Sequence, residues 1–415
     1  MTEVTSLAKL TWPSPETTEC PYPAYAALRA EAPIYKYPDR NEFLLTRWED
    51  VTYVAKHPEL FSNSMFGVDP TFRALQATRA TEGAPAGRYT AASMASSDPP
   101  EHRLKRALGL NLVHGDRLRR YEPAVQELVD ELIERWIDRG RCDFRAEFAD
   151  LLPIHVIVDL LGLPREDVPR FKVWGESEGG AIRYLPEERV KVELEWAAEA
   201  TAYMREAMLE RHERPRDDYL SEMIRQQIAQ DGEFDLDYMT AEANVMLFAG
   251  NVTTAHMLAN GMVMLCRHPD EAERVRRDPG LLRPLIEEFL RLESPVQWLQ
   301  RVCLQDTEIG GVPIPAGSIL IIFWASGNRD EARFQCPEQF DLERPNGARH
   351  QLAFGHGIHL CLGAPLARLE LRIAFESLLA RLSNLRLVEE ECDLRNVDSV
   401  RMRAPRRLVV AFDRA

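Results

Sequence analysis

The sequence predicts a mainly α-helical protein with small β-sheets, which is an α+β fold class. Long stretches carry apolar side chains at the three- and four-residue spacing of amphipathic helices. The strand-like runs are short, and they occur both early and late in the chain. The chain contains no internal repeats, low-complexity tracts or long linkers, so we expect residues 1–415 to form a single domain.

The helical pattern is clearest from Val125 to Trp136, where apolar residues recur at helical spacing before the stop signal Gly140. Further helices are expected at 237–267, which ends before a proline, at 281–292, and at 364–382. Strands are expected at 34–37, 42–46, 318–323 and 408–412. The stretch 66–97 has weak periodicity and several Gly and Pro breakers, which predict a long loop. Loops of this length inside a compact domain are usually functional.

Composition excludes several classes of protein. The chain has 51 basic and 66 acidic residues, and its net charge of −15 disfavours nucleic acid and anionic membrane as partners. No apolar run reaches the roughly 18 residues of a membrane anchor. The start of the chain does not resemble a signal peptide, so a cytoplasmic location is expected. The 7 cysteines are irregularly spaced and form no C-x-x-C pair, which favours a reducing compartment.

The most informative stretch is 354–363, where Cys361 lies in a glycine-rich loop directly before a predicted helix. Such a loop suits a thiolate bound to iron. Gly355 and Gly363 would let the backbone turn tightly and approach a flat cofactor. Backbone N–H groups could then point at the sulfur and tune its electron density. His359 could reach a carboxylate of the cofactor, and Phe354 could cover its ring. The other six cysteines are expected to be structural.

This stretch resembles the haem-binding loop of the cytochrome P450 family, in its soluble bacterial type. The resemblance runs from about Pro21 to Phe412 and implies that haem b, iron protoporphyrin IX, lies between a long distal helix and the cysteine loop with its following helix. Cys361 would be the metal ligand. The resemblance also implies a β-rich lobe from about 30–60, 296–326 and 384–415, and a helical lobe from about 98–295 and 363–383.

Four side chains are implied to bind the haem propionates. His102 and Arg106 lie four positions apart on one predicted helix face and can supply a donor and a cation to carboxylates. In the family, the positions that match these two, together with Arg301 and His359, bind the propionates.

An acid and a base lie at neighbouring positions of a later helix, Glu288 and Arg291. Such a pair is weak evidence by itself. The resemblance joins these two residues and Arg344 into a buried ion triad that supports the cysteine loop. Its role would be structural, and breaking it should leave a buried charge unpaired.

The segment 249–254 matches the family's oxygen-binding segment. Ala249 would face the haem, Gly250 would let dioxygen lie against the helix, and Thr253 would donate a hydrogen bond to it. The family usually has Asp or Glu before that threonine, whereas this chain has Val252, which cannot carry a proton. Either Asn251, Thr253 and water deliver protons, or another side chain substitutes for the acid, or the chemistry differs.

The substrate pocket is implied by alignment only. Its expected lining residues are Val245, Phe248, Ala249, Gln297, Trp298 and Leu299. The loop at 66–97 would close the entrance of the pocket, and residues 397–402 would form its opposite wall. Arg183 or Arg88 could anchor a substrate carboxylate.

Together these features predict a haem-thiolate monooxygenase that inserts one atom of O2 into an apolar small organic substrate. Electrons would come from a separate ferredoxin or flavodoxin-type donor with its NAD(P)H reductase. Basic side chains could steer such an acidic donor, or could be ordinary solvated helix faces: Arg103, Lys105, Arg106, Arg117, Arg119, Arg120, Arg349, Arg368 and Arg372. Two alternatives remain: a peroxide-driven or nitric oxide-reducing enzyme, and a haem protein that binds a ligand without turnover.

Overall fold

The computed structural model describes residue 7 and residues 10–64, 93–110, 115–345 and 348–415. Most of the expected loop at 66–97 therefore lies outside the described residues. Its last part is described, and there Met94–Ser96 form a single 3-10 turn.

Helices make up most of the described chain. They are α1 Pro15–Glu19, α2 Tyr22–Glu31, α3 Trp48–Lys56, α4 Glu101–Leu110, α5 Gly115–Glu134, α6 Leu152–Leu161, α7 Val168–Gly175, α8 Glu187–Glu213, α9 Tyr219–Asp231, α10 Leu236–Arg267, α11 Pro269–Arg277, α12 Leu282–Leu292, α13 Trp324–Gly327 and α14 Ala364–Arg381. The predictions of α10, α12 and α14 are confirmed to within one residue at each end, because each has a long apolar pattern and a clear stop. Helix α5 begins ten positions before the pattern that revealed it.

The strands are short and form small sheets. They are β1 Ile34–Lys36, β2 Glu42–Leu45, β3 Phe61–Ser62, β4 Arg141–Asp143, β5 Leu299–Cys303, β6 Thr307–Ile309, β7 Val312–Ile314, β8 Ile319–Ile322, β9 Leu382–Leu387, β10 Asp393–Asn396, β11 Pro405–Arg407 and β12 Val409–Arg414. The order in the five-stranded sheet is β1-β2-β8-β5-β3, and a second sheet has the order β4-β12-β9. The four strands expected from the sequence are present.

Helix α10 runs through the centre of the molecule. Asp235 caps its first turn by accepting a hydrogen bond from Tyr238 N at 3.0 Å, and Pro269 follows its end. The helix packs against α6, α7, α8, α12 and α14. Its side chains are accordingly buried over most of its length, which makes any uncovered stretch on it informative.

The sheets position two parts of the site. Strand β5 pairs antiparallel with β8, which places Arg301 opposite Leu320 at the middle of the five-stranded sheet. Strand β8 is followed by α13, and the chain then leads through 328–353 to the cysteine loop. Within the described part of the chain, no helix is both long enough and apolar enough to cross a membrane.

The expectation that six cysteines are structural is wrong for two of them. Cys20 and Cys336 are exposed, so neither is a core thiol. Cys142 and Cys303 are buried, and burial raises the pKa of both thiols.

Candidate functional site

The cysteine loop is closed by its own backbone. Cys361 N donates to Phe354 O at 2.8 Å, and Gly355 N donates to Leu352 O at the same distance. A single 3-10 turn, Gly357–His359, lies between these contacts. These bonds join the two ends of the loop and present Cys361 immediately before the first turn of α14.

Glycine at position 357 is required by a close backbone approach. Its φ is +73°, and a Cβ added there would lie 2.0 Å from Ala55 O in α3. Gly355 also has a positive φ, +72°, although a Cβ there would meet only ordinary contacts. No role for Gly357 could be predicted from the sequence, because its partner Ala55 lies some 300 positions earlier.

The pKa of the Cys361 thiol is raised overall, because burial outweighs the surrounding groups that favour an anionic sulfur. Burial raises the pKa of the Cys361 thiol, whereas the backbone N–H groups of Gly363 and Ala364 and the cations Arg106 and Arg368 lower it. The residue as a whole is exposed, although its thiol is desolvated. Two converging N–H groups at a helix N-terminus are the arrangement that stabilises a thiolate ligand.

Glu288, Arg291 and Arg344 form a buried ion cluster. Glu288 Oε1 lies 2.7 Å from Arg291 Nη2 and 3.1 Å from Arg344 Nη2, and all three residues are buried. Burial lowers the pKa of Arg291, whereas Glu288 raises it. With the charges paired and the remaining N–H groups donating to backbone carbonyls such as Gln339 O, the cluster is satisfied.

A short chain of hydrogen bonds connects this cluster to the cysteine loop. Arg291 Nη1 donates to Asn328 O at 2.9 Å, and Asn328 Oδ1 accepts from Leu352 N at 2.6 Å. Leu352 O in turn accepts from Gly355 N. Asn328 was missed in the sequence analysis, because an asparagine after a short helix has no distinctive pattern.

His102, His359 and Arg301 meet beside the cysteine loop. The two imidazole rings lie 4.3 Å apart, and Nε2 of each is buried without a hydrogen-bond partner. Burial lowers the pKa of Arg301 to about 10, although Asp98 nearby raises it. Burial, followed by the charges of Arg301 and the neighbouring cations, lowers the pKa of His359 to about 3.

This cluster has the chemistry of an anion-binding site. Arg301 donates from Nη1 to the neighbouring backbone carbonyl of Gln300 at 2.7 Å, and the two orphaned ring nitrogens have no partner among the described residues. Buried donors and cations without acceptors are costly unless a ligand supplies the anion. Two carboxylates, as on haem, fit these residues. Arg106 donates from Nη2 to Leu360 O at 2.7 Å and so lies beside the cysteine as well.

One face of the buried helix α10 is left uncovered. Ala249 is exposed, and Val245 and Thr253, four positions to either side, are half-buried. Thr253 Oγ1 donates to Ala249 O at 2.8 Å, which fixes the hydroxyl on this stripe. An uncovered stripe of small side chains on a central helix suits contact with a flat cofactor.

The structure corrects the reason for glycine at position 250. A Cβ at Gly250 would face Ile157 of α6 at 3.4 Å, not the stripe at Ala249 and Thr253. A Cβ there would make only ordinary contacts with α6, and it would not point toward the stripe where contact with dioxygen was expected. Asn251 is buried and lies, with Val252, against the end of α7.

Two expected pocket residues belong to the core. The Trp298 ring lies 5.1 Å from the ring of Trp12 and 5.5 Å from that of Tyr184, and its Nε1 donates to Val400 O. Gln297 Nε2 donates to Ser294 O at 2.6 Å. These contacts direct both side chains into the protein, so the prediction that they border the iron site is corrected.

The remaining expected pocket residues differ in burial. Phe248 is buried, and Leu299 at the start of β5 is half-buried. Arg183 lies 3.2 Å from Glu42 and is engaged there, which corrects its expected role as a substrate anchor. Arg88 lies outside the described residues.

Several members of the expected basic surface are paired with acids within the chain. Arg117 pairs with Glu222, Arg368 with Glu287, and Arg372 with Glu122. Their charges are therefore partly neutralised, so the basic surface available to a donor is smaller than expected. Arg103 in α4 remains exposed.

Comparison with known proteins agrees with this arrangement. A family model described as Cytochrome P450 matches residues 183–279 and 280–406. The chain is 34% identical over 93% of its length to the cyclomarin C epoxidase CymV of Salinispora arenicola, of which 94% is covered. It is 34% identical over 89% of its length to the steroid C26-monooxygenase of Mycobacterium tuberculosis, of which 87% is covered.

A solved structure shows the same fold. P450BioI, in complex with acyl carrier protein ligated to hexadec-9Z-enoic acid, superposes with a TM-score of 0.85 at 28% identity. The alignment covers 96% of this chain and 99% of that chain. The likeness thus extends over nearly the whole molecule, including both sides of the site.

Proposed function

Because the chain belongs to the cytochrome P450 family and is a monooxygenase that binds haem b, we propose that Cys361 supplies the thiolate ligand and that the substrate is a small apolar organic molecule. The observation that carries the assignment of Cys361 is the adjacent cluster of His102, His359 and Arg301, with its two orphaned ring nitrogens. These three residues would hold the haem propionates. Bound haem supplies an iron at which dioxygen is activated.

The chain's own residues divide the remaining work. The N–H groups of Gly363 and Ala364 stabilise the Cys361 sulfur as an anion, and their hydrogen bonds would moderate the electron density that it gives to the metal. The stripe of Val245, Ala249 and Thr253 would cover the opposite side of the cofactor. The Thr253 hydroxyl, which donates to Ala249 O, lies on this stripe and would be the hydrogen-bond donor to the reacting oxygen.

An apolar substrate is supported by the described lining. Val245 and Ala249 are apolar, and Arg183, which could have anchored a carboxylate, is engaged by Glu42. The names of the relatives span cyclomarin C, a steroid and a protein-bound fatty acyl chain, so they favour no single substrate.

Labelled dioxygen tests this function. We expect one labelled oxygen atom in the product, with the other in water, when the holoenzyme turns over with a reducing partner and a substrate found by its spectral shift. A product that carries oxygen from the solvent, or no product from any compound that shifts the spectrum, would contradict the proposal.

We place the docking site of a separate ferredoxin or flavodoxin-type donor around α4 and the cysteine loop. Leu104 and Leu360 are exposed there, at 53% and 46%, and Arg103 is exposed beside Leu104. Leu360 directly precedes Cys361, so a donor bound here would be close to the metal ligand. Apolar contact with a charged rim is typical of transient interfaces.

Charge reversal tests the docking site. Arg103→Glu should slow reduction by an acidic donor about tenfold at low salt, and the difference should shrink as salt screens the charges. Arg214→Glu at the end of α8 changes the net charge equally and should leave the rate unchanged. Equal effects of the two variants would contradict the placement.

A second candidate function rests on Val252. This apolar side chain occupies the position at which the family usually has an acid, which favours peroxide-driven turnover or nitric oxide reduction as the alternative. Steady product formation with hydrogen peroxide alone, at a rate at least equal to that with the reducing partner, would favour it. Consumption of reduced nicotinamide with nitric oxide would favour the reductase form.

A further inference from the structure

The apolar side chain of Val252 faces a polar chamber. A Cβ at Gly175, the last residue of α7, would lie 3.1 Å from Val252 Cγ2 and 3.3 Å from Asn251 Nδ2. The end of α7 therefore covers the part of α10 that precedes Thr253. Val252 and Asn251 both line a cavity of about 460 Å³ at this point.

The cavity is lined by charged side chains from several segments. The charged lining residues, four of each sign, are Arg145, Lys172, Arg189, Arg406, Asp150, Glu176, Glu178 and Asp398. A polar chamber of this size holds on the order of ten water molecules, at about 30 Å³ each. The chamber can therefore carry protons between groups that do not touch.

Glu178 is the buried carboxyl on this wall. It is 3% exposed, and its Oε2 has no hydrogen-bond partner and lies 3.6 Å from Arg401 Nε. Its backbone N–H donates to both carboxylate oxygens of Glu193, at 3.0 and 3.1 Å, and Ser177 Oγ donates to the same carboxylate. The turn after α7 is thus fixed, and it holds Glu178 at the cavity.

The charges that face Glu178 oppose each other. Burial raises the pKa of Glu178, Arg401 and a hydrogen bond from Ser399 lower it, and Glu193 and Arg189 then raise and lower it respectively. A buried carboxyl that faces both cations and another acid at a polar cavity is suited to give up and regain a proton.

His256 lies on α10 three positions after Thr253, so the two side chains are neighbours on the helix. It lines the same cavity, and its Nδ1 is buried without a hydrogen-bond partner. Burial, followed by the charge of Arg145, lowers the pKa of His256 to about 3. The imidazole is therefore neutral near pH 7, with one ring nitrogen able to accept a proton and the other able to donate one.

We propose that Glu178 supplies the protons that a carboxylate at position 252 would otherwise deliver, through the cavity water, His256 and Asn251 to Thr253. The inference rests on the proposed function. In each transfer the Glu178 carboxyl loses one proton to the cavity and regains one from solvent, so no charge accumulates and nothing is oxidised or reduced. Glu178 is a positioning residue in this scheme, because it acts through Thr253.

The first test measures proton delivery during turnover. Glu178→Gln keeps the shape but cannot supply a proton, so coupled product formation should fall about tenfold or more. The solvent isotope effect should rise about twofold. Glu188→Gln, at an exposed acid on α8 outside the cavity, should leave both quantities unchanged.

A double variant tests rescue by an acid at position 252. Glu178→Gln with Val252→Glu should regain product formation, whereas Glu178→Gln with Val252→Gln should not. Equal coupling and isotope effect in Glu178→Gln and the parent, or equal rescue by Glu and Gln at 252, would overturn the proposal.

The second test requires no turnover. The infrared difference between the resting parent protein and Glu178→Gln should show the carbonyl band of a protonated carboxyl, which shifts in heavy water. Other buried acids whose pKa is raised, such as Glu242 and Glu370, contribute equally to both spectra and cancel. A difference spectrum without this band at any pH from 5 to 8 would overturn the proposal.

The carbon monoxide spectrum separates failure of this inference from failure of the proposed function. Every variant should keep the absorption band of thiolate ligation, and the proposed function itself fails if the parent lacks that band. If Glu178→Gln does not fold, His256→Leu interrupts the same path and should produce the same loss of coupling. Normal coupling in His256→Leu would then overturn the proposal.

Discussion

The two sides of the site are built differently. On the cysteine-loop side, residues 352–363, the supporting charges are paired and the backbone groups bond to each other, and the unpartnered groups among the described residues there are confined to the anion-binding cluster of His359 and the adjacent His102. On the distal side, residues 245–256 of α10 and the cavity beside them, several polar groups have no partner within the described residues, among them His256 Nδ1 and Glu178 Oε2. Satisfied groups fix a geometry, whereas unsatisfied buried groups indicate ligands, water or proton transfer.

This difference separates structural from chemical demands on the chain. The loop must hold one sulfur in one place, so it is supported by the buried cluster around Glu288 and by the close approach of Gly357 to α3. The distal side must admit substrate, dioxygen and protons, so it cannot be packed as tightly. Substitutions on the first side should therefore change stability, and those on the second should change kinetics or pH dependence.

The largest effect is expected at Glu288. Glu288→Gln leaves Arg291 and Arg344 buried without a counter-charge and should lower the free energy of unfolding by about 3–5 kcal/mol. Denaturant unfolding of the holoprotein measures this. Glu187→Gln, which removes an exposed i,i+4 partner of Lys191, should have little effect. Equal losses in both variants would remove the distinction between the two sides.

The next effect is expected at Gly357. Gly357→Ala combines a positive φ with a Cβ only 2.0 Å from Ala55 O. It should therefore lower the free energy of unfolding by about 2–4 kcal/mol and weaken haem retention. Gly232→Ala is the matched control, because its φ is +90° and nothing lies within 4 Å of its Cβ. Gly232→Ala should lower the free energy of unfolding by about 1 kcal/mol. If the two variants unfold at the same denaturant concentration, the close approach to α3 does not hold the loop.

Glu242 on α10 should make the distal side sensitive to pH. Burial raises the pKa of Glu242 from 4.5 to about 7, although the backbone N–H of Met94, Lys105 and Tyr238 lower it. The folded state therefore binds a proton that the unfolded state has lost, and stability should fall as the pH rises from 4.5 to 7.

Glu242→Gln should remove this dependence. The variant and the parent should unfold alike at pH 4.5, and the variant should be about 1–3 kcal/mol more stable at pH 8, with 1.36 kcal/mol for each unit of pKa shift. Denaturant unfolding over this range measures it. A parent protein that gains stability between pH 5 and 8 relative to the variant would show the opposite sign and contradict this assignment.

The smallest change in stability, and a purely kinetic effect, is expected at Val252. Val252→Glu places an acid beside the cavity and should lower the solvent isotope effect, with a change of less than about 1 kcal/mol in unfolding. Val252→Gln is the control of matching shape. Identical oxygen consumption, product yield and isotope effect in the parent and in Val252→Glu would mean that this position has no role in proton delivery.

The sequence predicted those parts of the molecule that depend on local patterns. The period of apolar residues located α10, α12 and α14, and the glycine-rich motif located Cys361 before the structure was known. The start of α5 was missed because its first two turns are rich in charged residues and carry only Leu118 and Tyr121 on the apolar face. The direction of the Trp298 side chain was also predicted wrongly. Trp298 directly precedes β5, and its ring packs against Trp12, which lies far earlier in the chain.

Features assembled from distant segments could not be predicted. The role of Gly357 depends on a carbonyl in α3, and the link through Asn328 depends on three segments meeting. The cavity beside Val252 is formed by segments from Arg145 to Arg406. No short pattern in the chain encodes such a meeting, because it results from the packing of whole helices and strands.

The ligation of haem iron by Cys361 is the central claim, and the carbon monoxide spectrum of the reduced protein tests it most directly. The parent protein should show the strongly red-shifted band of a thiolate-ligated haem, and Cys361→Ser should lose it while keeping the same helical content. Cys303→Ser, at a buried cysteine away from the loop, should keep the band. Absence of the band in the parent, or its persistence in Cys361→Ser, would contradict the account.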